Sequence, residues 1–125
     1  MPTRSILIVD DEPAFCEMVG LMLEGAGHAV TLTADGVAGG RALEEKAFDL
    51  VITDLLMPEM DGLEFIARIR GKHPSVQILA MSGGGHIASR EYLKLARGLG
   101  AHALIEKPFT QDKLHEAVAA LLAAA

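Results

Sequence analysis

Five polar residues stand where short apolar runs end. Asp10 and Asp11 follow Ile6-Leu7-Ile8-Val9, Asp54 follows Leu50–Thr53, Ser82 follows Val76–Met81, and Lys107 stands in Glu106-Lys107-Pro108 after Ala103–Ile105. Adjacent aspartates at the tip of a buried strand repel each other, and partial burial strengthens the repulsion. A cation among them offsets it. The donors are hard carboxylate oxygens, and no Cys or His has zinc-like spacing, so a small divalent ion such as Mg²⁺ fits best. Mg²⁺ takes only one or two carboxylates, which leaves Asp54 available as a nucleophile. Lys107 brings a point positive charge to a phosphoryl group, and the Ser82 hydroxyl can donate to one of its oxygens. The chemistry such a set suits is phosphoryl transfer onto a carboxylate, giving an aspartyl phosphate.

The set works only if the chain brings these positions together. Apolar runs alternate with amphipathic ones. Strands are predicted at Ser5–Val9, Ala29–Thr33, Leu50–Thr53, Val76–Met81 and Ala103–Ile105. Helices are predicted at Pro13–Glu24, Gly36–Lys46, Leu63–Arg70 behind an Asp61 N-cap, and roughly Ile87–Leu99. A last helix is capped by Thr110 and carries Leu114, Val118, Leu121 and Leu122 at helical spacing. Gly39 and Gly40 weaken the second helix. On the first helix only Glu17, Gly20 and Glu24 form a polar strip, with Ala14 and Leu21 at its margin. Five β-α units with near-continuous apolar strands predict an α/β fold: a doubly wound, five-stranded parallel sheet with helices on both faces. Right-handed crossovers put every strand's C-terminal end on one edge, where such sheets carry their sites. If the first and third strands are neighbours, Asp10, Asp11 and Asp54 converge there.

At 125 residues, half of them hydrophobic, the chain is one domain's worth with ample material for a core. A net charge of −6 argues against a nucleic-acid surface. The single cysteine, Cys16, cannot form an intrachain disulfide. No signal peptide or membrane span is legible, so a cytoplasmic protein without membrane contact is expected. The five histidines (His28, His73, His86, His102, His115) are scattered and read as solvated, none in a phosphorylated-histidine motif. Glu12 either reaches the metal through water or favours the helix N-terminus.

Taken together, Asp10-Asp11, the segment from Asp54 through Met57-Pro58 to Asp61-Gly62, Ser82, and Lys107-Pro108-Phe109 resemble the receiver domain of bacterial two-component response regulators, the CheY-like family, over essentially the whole chain. The resemblance implies a flavodoxin-like sheet of order 2-1-3-4-5 and a single receiver domain spanning residues 1–125 with no output domain. It implies Asp54 as acceptor of a phosphoryl group from a histidine kinase or phosphotransfer protein. Mg²⁺ would be held by Asp10 or Asp11, Asp54 and the backbone carbonyl of Leu56. It also implies a downstream protein target, no DNA binding by this chain, and a cis bond before Pro108.

The sequence departs from the family in one place. Many receivers carry an inward-turning aromatic residue three positions before the lysine, where this chain has Leu104. Ser82 can still move, and the glycines Gly83–Gly85 read either as a flexible loop that lets the backbone pass close to the site or as a mobile switch segment ordered by phosphorylation. Tyr92 reads as a partly buried helix tyrosine, with a reporter role the weaker alternative. The first helix reads either as a generously buried helix or, as the resemblance implies, as a docking face for the phosphodonor. Two other functions fit the residues less well. A Mg²⁺-dependent phosphatase with an aspartyl nucleophile usually has a second Asp two residues on, where this chain has Leu56. A phosphorylation-independent binding module would not need the Asp/Ser/Lys set. Gly83-x-Gly85-x-x-Ala88 matches a dinucleotide fingerprint but explains none of the aspartates.

Overall fold

In a computed structural model, which describes residues 3–55, 62–83 and 89–124 (side chains of 89–93 excepted), the chain alternates strand and helix five times. The elements are β1 (Ser5–Val9), α1 (Pro13–Gly25), β2 (Ala29–Thr33), α2 (Gly36–Glu45), β3 (Leu50–Asp54), α3 (Gly62–Lys72), β4 (Gln77–Gly83), α4 (Ser89–Leu99), β5 (Ala103–Lys107) and α5 (Gln111–Ala124). The strands form one parallel sheet of order β2-β1-β3-β4-β5. The expected fold is thus observed.

Strand side chains alternate between faces, and the core divides accordingly. Leu7, Val9, Val51, Ile78 and Ala80 pack with Phe65, Ile66 and Ile69 of α3. Ile6, Ile8, Ile52, Leu79 and Met81 pack with Val19 and Leu23 of α1 and Leu114 and Val118 of α5. Pro13 opens α1, where a missing N–H costs nothing. Asp35 caps α2 by accepting the Ala38 N–H at 2.8 Å, and Thr110 caps α5 by accepting the Lys113 N–H at 3.1 Å.

Several boundaries move, for a common reason. β3 takes in Asp54, β4 runs on to Gly83, and β5 runs on to Lys107. The parallel ladder pairs Asp54 with Met81, Ser82 with Glu106 and Gly83 with Lys107. Ladders are made by backbone groups, so they outlast the apolar run that marks a strand in sequence. β4 also starts one residue late, at Gln77, because the Val76 N–H turns back to the His73 carbonyl.

Gly20 is not part of a polar strip. It is buried, and a Cβ there would lie 3.0 Å from Leu32 Cδ2 on β2. The exposed face of α1 is instead Ala14, Glu17, Met18, Leu21 and Glu24. Gly39 lets α2 approach the sheet: a Cβ would come within 2.9 Å of Phe65 and Val9. The weak helix propensity of that position is offset by the packing it allows.

The histidines are less solvated than expected. His102 Nδ1 accepts the Ile78 N–H at 3.0 Å, beside the start of the β4–β5 ladder. Arg70 Nη2 lies 3.0 Å from Nε2 and 3.3 Å from Nδ1. One atom can be that close to both ring nitrogens only from above the ring, so Nη2 lies over the face of His102. Burial, then the Arg70 charge, hold His102 below its ordinary pKa. His28 is likewise lowered, first by burial, and His115 Nε2 lies 3.0 Å from the Met22 carbonyl, joining α5 to α1. His86, the Asp61 cap, the expected helix start at Ile87, and the Gly84-Gly85 portion of the glycine loop lie outside the described residues, as does the Tyr92 side chain.

Candidate functional site

The sheet order fixes which strand tips meet. β1 and β3 are hydrogen-bonded neighbours with Val9 opposite Thr53, so the next residues, Asp10 and Asp54, sit side by side at the C-terminal edge. Asp10 is held there by its backbone, whose N–H donates to the Thr33 carbonyl at 3.1 Å. Its Oδ1 accepts the Glu12 N–H at 2.9 Å, a turn that leads into α1. Leu55, just past Asp54, donates its N–H to the Met81 carbonyl at 2.9 Å.

Asp10 and Asp54 are buried, whereas Asp11 is exposed. One carboxylate oxygen from each of Asp10, Asp11 and Asp54 lies within 4.8 Å of the others. Lys107 reaches over this cluster from β5. Its Nζ donates to Asp10 Oδ2 at 2.8 Å and to Asp54 Oδ2 at 3.2 Å, and stands 4.0 Å from Glu12 Oε1. Burial pulls the Lys107 ammonium down, but the hydrogen bond to Asp10 and the charges of Asp54 and Asp10 outweigh it and hold Lys107 above its ordinary value. The repulsion between carboxylates is therefore offset first by the chain's own lysine. Glu12 belongs to the rim, beside that lysine.

Ser82 lies one residue beyond Met81, the register partner of Asp54. It is buried, and its Oγ has no hydrogen-bond partner among the described residues. A buried hydroxyl without a partner costs about 1–3 kcal/mol, which an oxygen-rich ligand would relieve. Cys16 lies under the site with its Sγ 3.9 Å from the Thr33 carbonyl. Burial, then the Asp10 charge, raise its thiol, so it is not an activated nucleophile.

The structure thus brings together Asp10, Asp11, Asp54 and Lys107, with Ser82 on the strand beside Asp54. The Leu56 carbonyl lies outside the described residues. Leu104 is partly buried against the α3-side core, so an aliphatic side chain fills the place expected for an aromatic switch. The Lys107–Pro108 bond is cis. One contact was not read from the sequence: Lys107 Nζ lies 4.2 Å from the centre of the Phe15 ring. In the sequence Phe15 is simply an apolar position at helical spacing in α1, and its place in the first turn after the acidic pair is the one signal that marks it. Among the described residues no helix is long and apolar enough to cross a membrane.

Comparison with known proteins agrees with this geometry. The family model for the response regulator receiver domain matches residues 6–119. The transcriptional regulatory protein FixJ of Bradyrhizobium diazoefficiens is 36% identical over 110 residues, covering 87% of this chain and 52% of FixJ. The transcriptional regulatory protein GlrR of Escherichia coli K12 is 33% identical over 113 residues, covering 90% of this chain and 25% of GlrR. The chain therefore spans between a quarter and a half of the length of these relatives. A crystal structure of a response regulator from Chloroflexus aurantiacus superimposes with a TM-score of 0.89 at 30% identity, covering 98% of this chain and 99% of that one. The receiver domain of NtrX from Brucella abortus gives a TM-score of 0.90 at 30% identity, covering 96% and 99%. With an acidic cluster and a lysine at the edge of a 2-1-3-4-5 sheet, the chain belongs to the response regulator receiver domain family.

Proposed function

We propose that the chain is a phosphorylation-controlled switch in which Asp54 accepts a phosphoryl group from a phosphohistidine on a histidine kinase or histidine phosphotransfer protein. The observation that carries this reading is the Lys107 ammonium shared between Asp10 and Asp54, with a buried Ser82 hydroxyl on the neighbouring strand that has no hydrogen-bond partner among the described residues. In the transfer, a carboxylate oxygen of Asp54 forms the new P–O bond. The donor's P–N bond breaks, and the histidine keeps the electron pair. Lys107 offsets negative charge on the phosphoryl oxygens, and the Ser82 hydroxyl donates to one of them. The cluster of Asp10, Asp11 and Asp54 fits Mg²⁺ in hardness and spacing: Asp10 or Asp11 with Asp54 would supply the carboxylates, and the Leu56 carbonyl would complete the protein's ligand set. Bound Mg²⁺ would supply neutralisation of charge on the carboxylates and on the transferred group. When Ser82 and Lys107 engage the phosphoryl group, β4 and β5 carry the change towards α4 and α5, and binding of a downstream protein target alters. Leu104 means that this report does not run through an aromatic at that position.

Acetyl phosphate with Mg²⁺ tests the acceptor. Wild type takes up one phosphoryl group per chain and loses it slowly, and Asp54→Ala takes up none. Rapid multiple turnover would instead make the protein a phosphatase. An unlabelled wild type would make it a binding module that works without phosphorylation.

Metal binding has its own readout. Because Mg²⁺ would bind the folded pocket and not the unfolded chain, a concentration near 100 times its dissociation constant adds about 2.7 kcal/mol of stability, which raises the melting temperature by several degrees. In Asp11→Ala the rise shrinks. A melting temperature indifferent to Mg²⁺ in the wild type rules out the metal site.

A further inference from the structure

We propose that Phe15 is a positioning residue for Lys107: the face of its ring holds the ammonium in place over the acidic pocket and so sets how firmly the pocket grips a phosphoryl group on Asp54. The proposal rests on Asp54 being the phosphoacceptor. Lys107 Nζ lies 4.2 Å from the centre of the Phe15 ring while donating to Asp10 at 2.8 Å and to Asp54 at 3.2 Å. The side chain of Lys107 is only 13% exposed, so little water is left to solvate its charge. Two carboxylates take up part of that demand, and the electron-rich face of an aromatic ring takes up more.

The ring is itself held. Phe15 sits in the first turn of α1, whose start is set by Pro13 and by the Glu12 N–H bonded to Asp10. On its other side it meets Phe109 with ring centres 5.5 Å apart and planes at 77°, an edge-to-face contact that links α1 to the segment following β5. A lysine has four rotatable bonds between backbone and charge, and its ammonium would otherwise sample many positions. Two carboxylates on one side and a fixed ring face on another leave it few. Phe15 does not touch the reacting atoms; it acts through Lys107.

Plain packing is the competing account, since Phe15 also lies against the α1-side core. Leucine keeps the apolar bulk and loses the ring face, whereas tyrosine keeps both. The probe is beryllofluoride, which caps an aspartate carboxylate as a tetrahedral phosphoryl mimic, titrated with Mg²⁺ into the full chain and followed by fluorine NMR. It involves no partner protein, so any docking role of α1 drops out. Phe15→Leu weakens beryllofluoride binding about fivefold, Phe15→Tyr stays within about twofold of wild type, and Mg²⁺ affinity measured alone moves less than beryllofluoride affinity does. Equal binding by Phe15→Leu and wild type overturns the proposal. So does an equal loss in both variants, which would mark a packing role, or an equal loss of Mg²⁺ affinity, which would mark general disorder of the pocket. A wild type that binds Mg²⁺ but no beryllofluoride removes the phosphoacceptor reading itself, a result separate from a wild type that binds it and a leucine variant that binds it equally well.

Discussion

Gly62→Ala destabilises the fold by about 3 kcal/mol and strips most of the phosphoryl label from Asp54. A Cβ at position 62 would lie 2.5 Å from both the Cα and the carbonyl oxygen of Leu55, and 2.7 Å from the Asp54 carbonyl oxygen. These are backbone atoms, and they cannot step aside as a side-chain tip can. Leu55 is also pinned from two directions. Its carbonyl accepts the Gly62 N–H at 3.0 Å, and its N–H donates to Met81 at 2.9 Å. Relief of the clash must pull α3 off the end of β3 or shift β3 against β4, and Asp54 moves with either. Gly71 lies in the same helix, and a Cβ there would meet nothing within 4 Å. Gly71→Ala should therefore be neutral or stabilise by up to about 1 kcal/mol. Urea unfolding of the two variants makes the comparison. If Gly62→Ala loses no more than Gly71→Ala, the close approach at the start of α3 carries no weight.

Lys107→Met costs about 3 kcal/mol when divalent ions are chelated, because removing one partner of a buried ion pair leaves the other charge uncompensated. Here it leaves two, on Asp10 and Asp54, whose side chains are 0% and 8% exposed. Methionine nearly matches the lysine stem in volume, so the loss reports charge rather than a cavity. Adding Mg²⁺ narrows the gap between variant and wild type, since the ion places positive charge among the same carboxylates. The pH dependence has a definite sign. The folded pKa of Lys107 lies above its ordinary 10.5, so its stabilisation is fully present below that pH and fades as pH rises through the folded value. The wild type should lose its advantage over Lys107→Met only in strong alkali. Equal unfolding free energies at pH 7 in chelator would mean that the ion pairs contribute nothing.

The architecture and the acidic cluster were legible because both follow from coarse patterns. Uninterrupted apolar runs such as Ile6–Val9 and Leu50–Ile52 mark buried parallel strands, and right-handed crossovers send all their tips to one edge. What lay hidden depends on contacts between elements distant in the chain. Gly20 and Gly39 read as breaks in local pattern, yet their meaning lies in Leu32, Phe65 and Val9, which belong to other elements. His102 reads as a solvated histidine until the β4–β5 ladder places the Ile78 N–H against its ring. Asp54, Ser82 and Lys107 read as residues after strands, but the backbone ladder extends to them and gives them strand rigidity. Phe15 is only an apolar helix position in the sequence, because its partner Lys107 arrives from the far edge of the sheet.

The formal charges around Lys107 add up to a selection rule. Three carboxylates face one ammonium, so the inner pocket carries two uncompensated negative charges, with Glu12 adding a more exposed one at the rim. A single divalent cation brings the inner pocket to neutrality, a monovalent one leaves it half compensated, and a trivalent one overshoots. On the proposed reading, phosphorylation of Asp54 would replace one carboxylate charge with a group carrying roughly two. The neutral pocket then becomes negative by about one unit, and the lysine is the cation within it that is tethered to the chain. On the proposed reading, the valence of the cation that the pocket would select and the sign of its response to phosphorylation both follow from the number of aspartates that share one lysine.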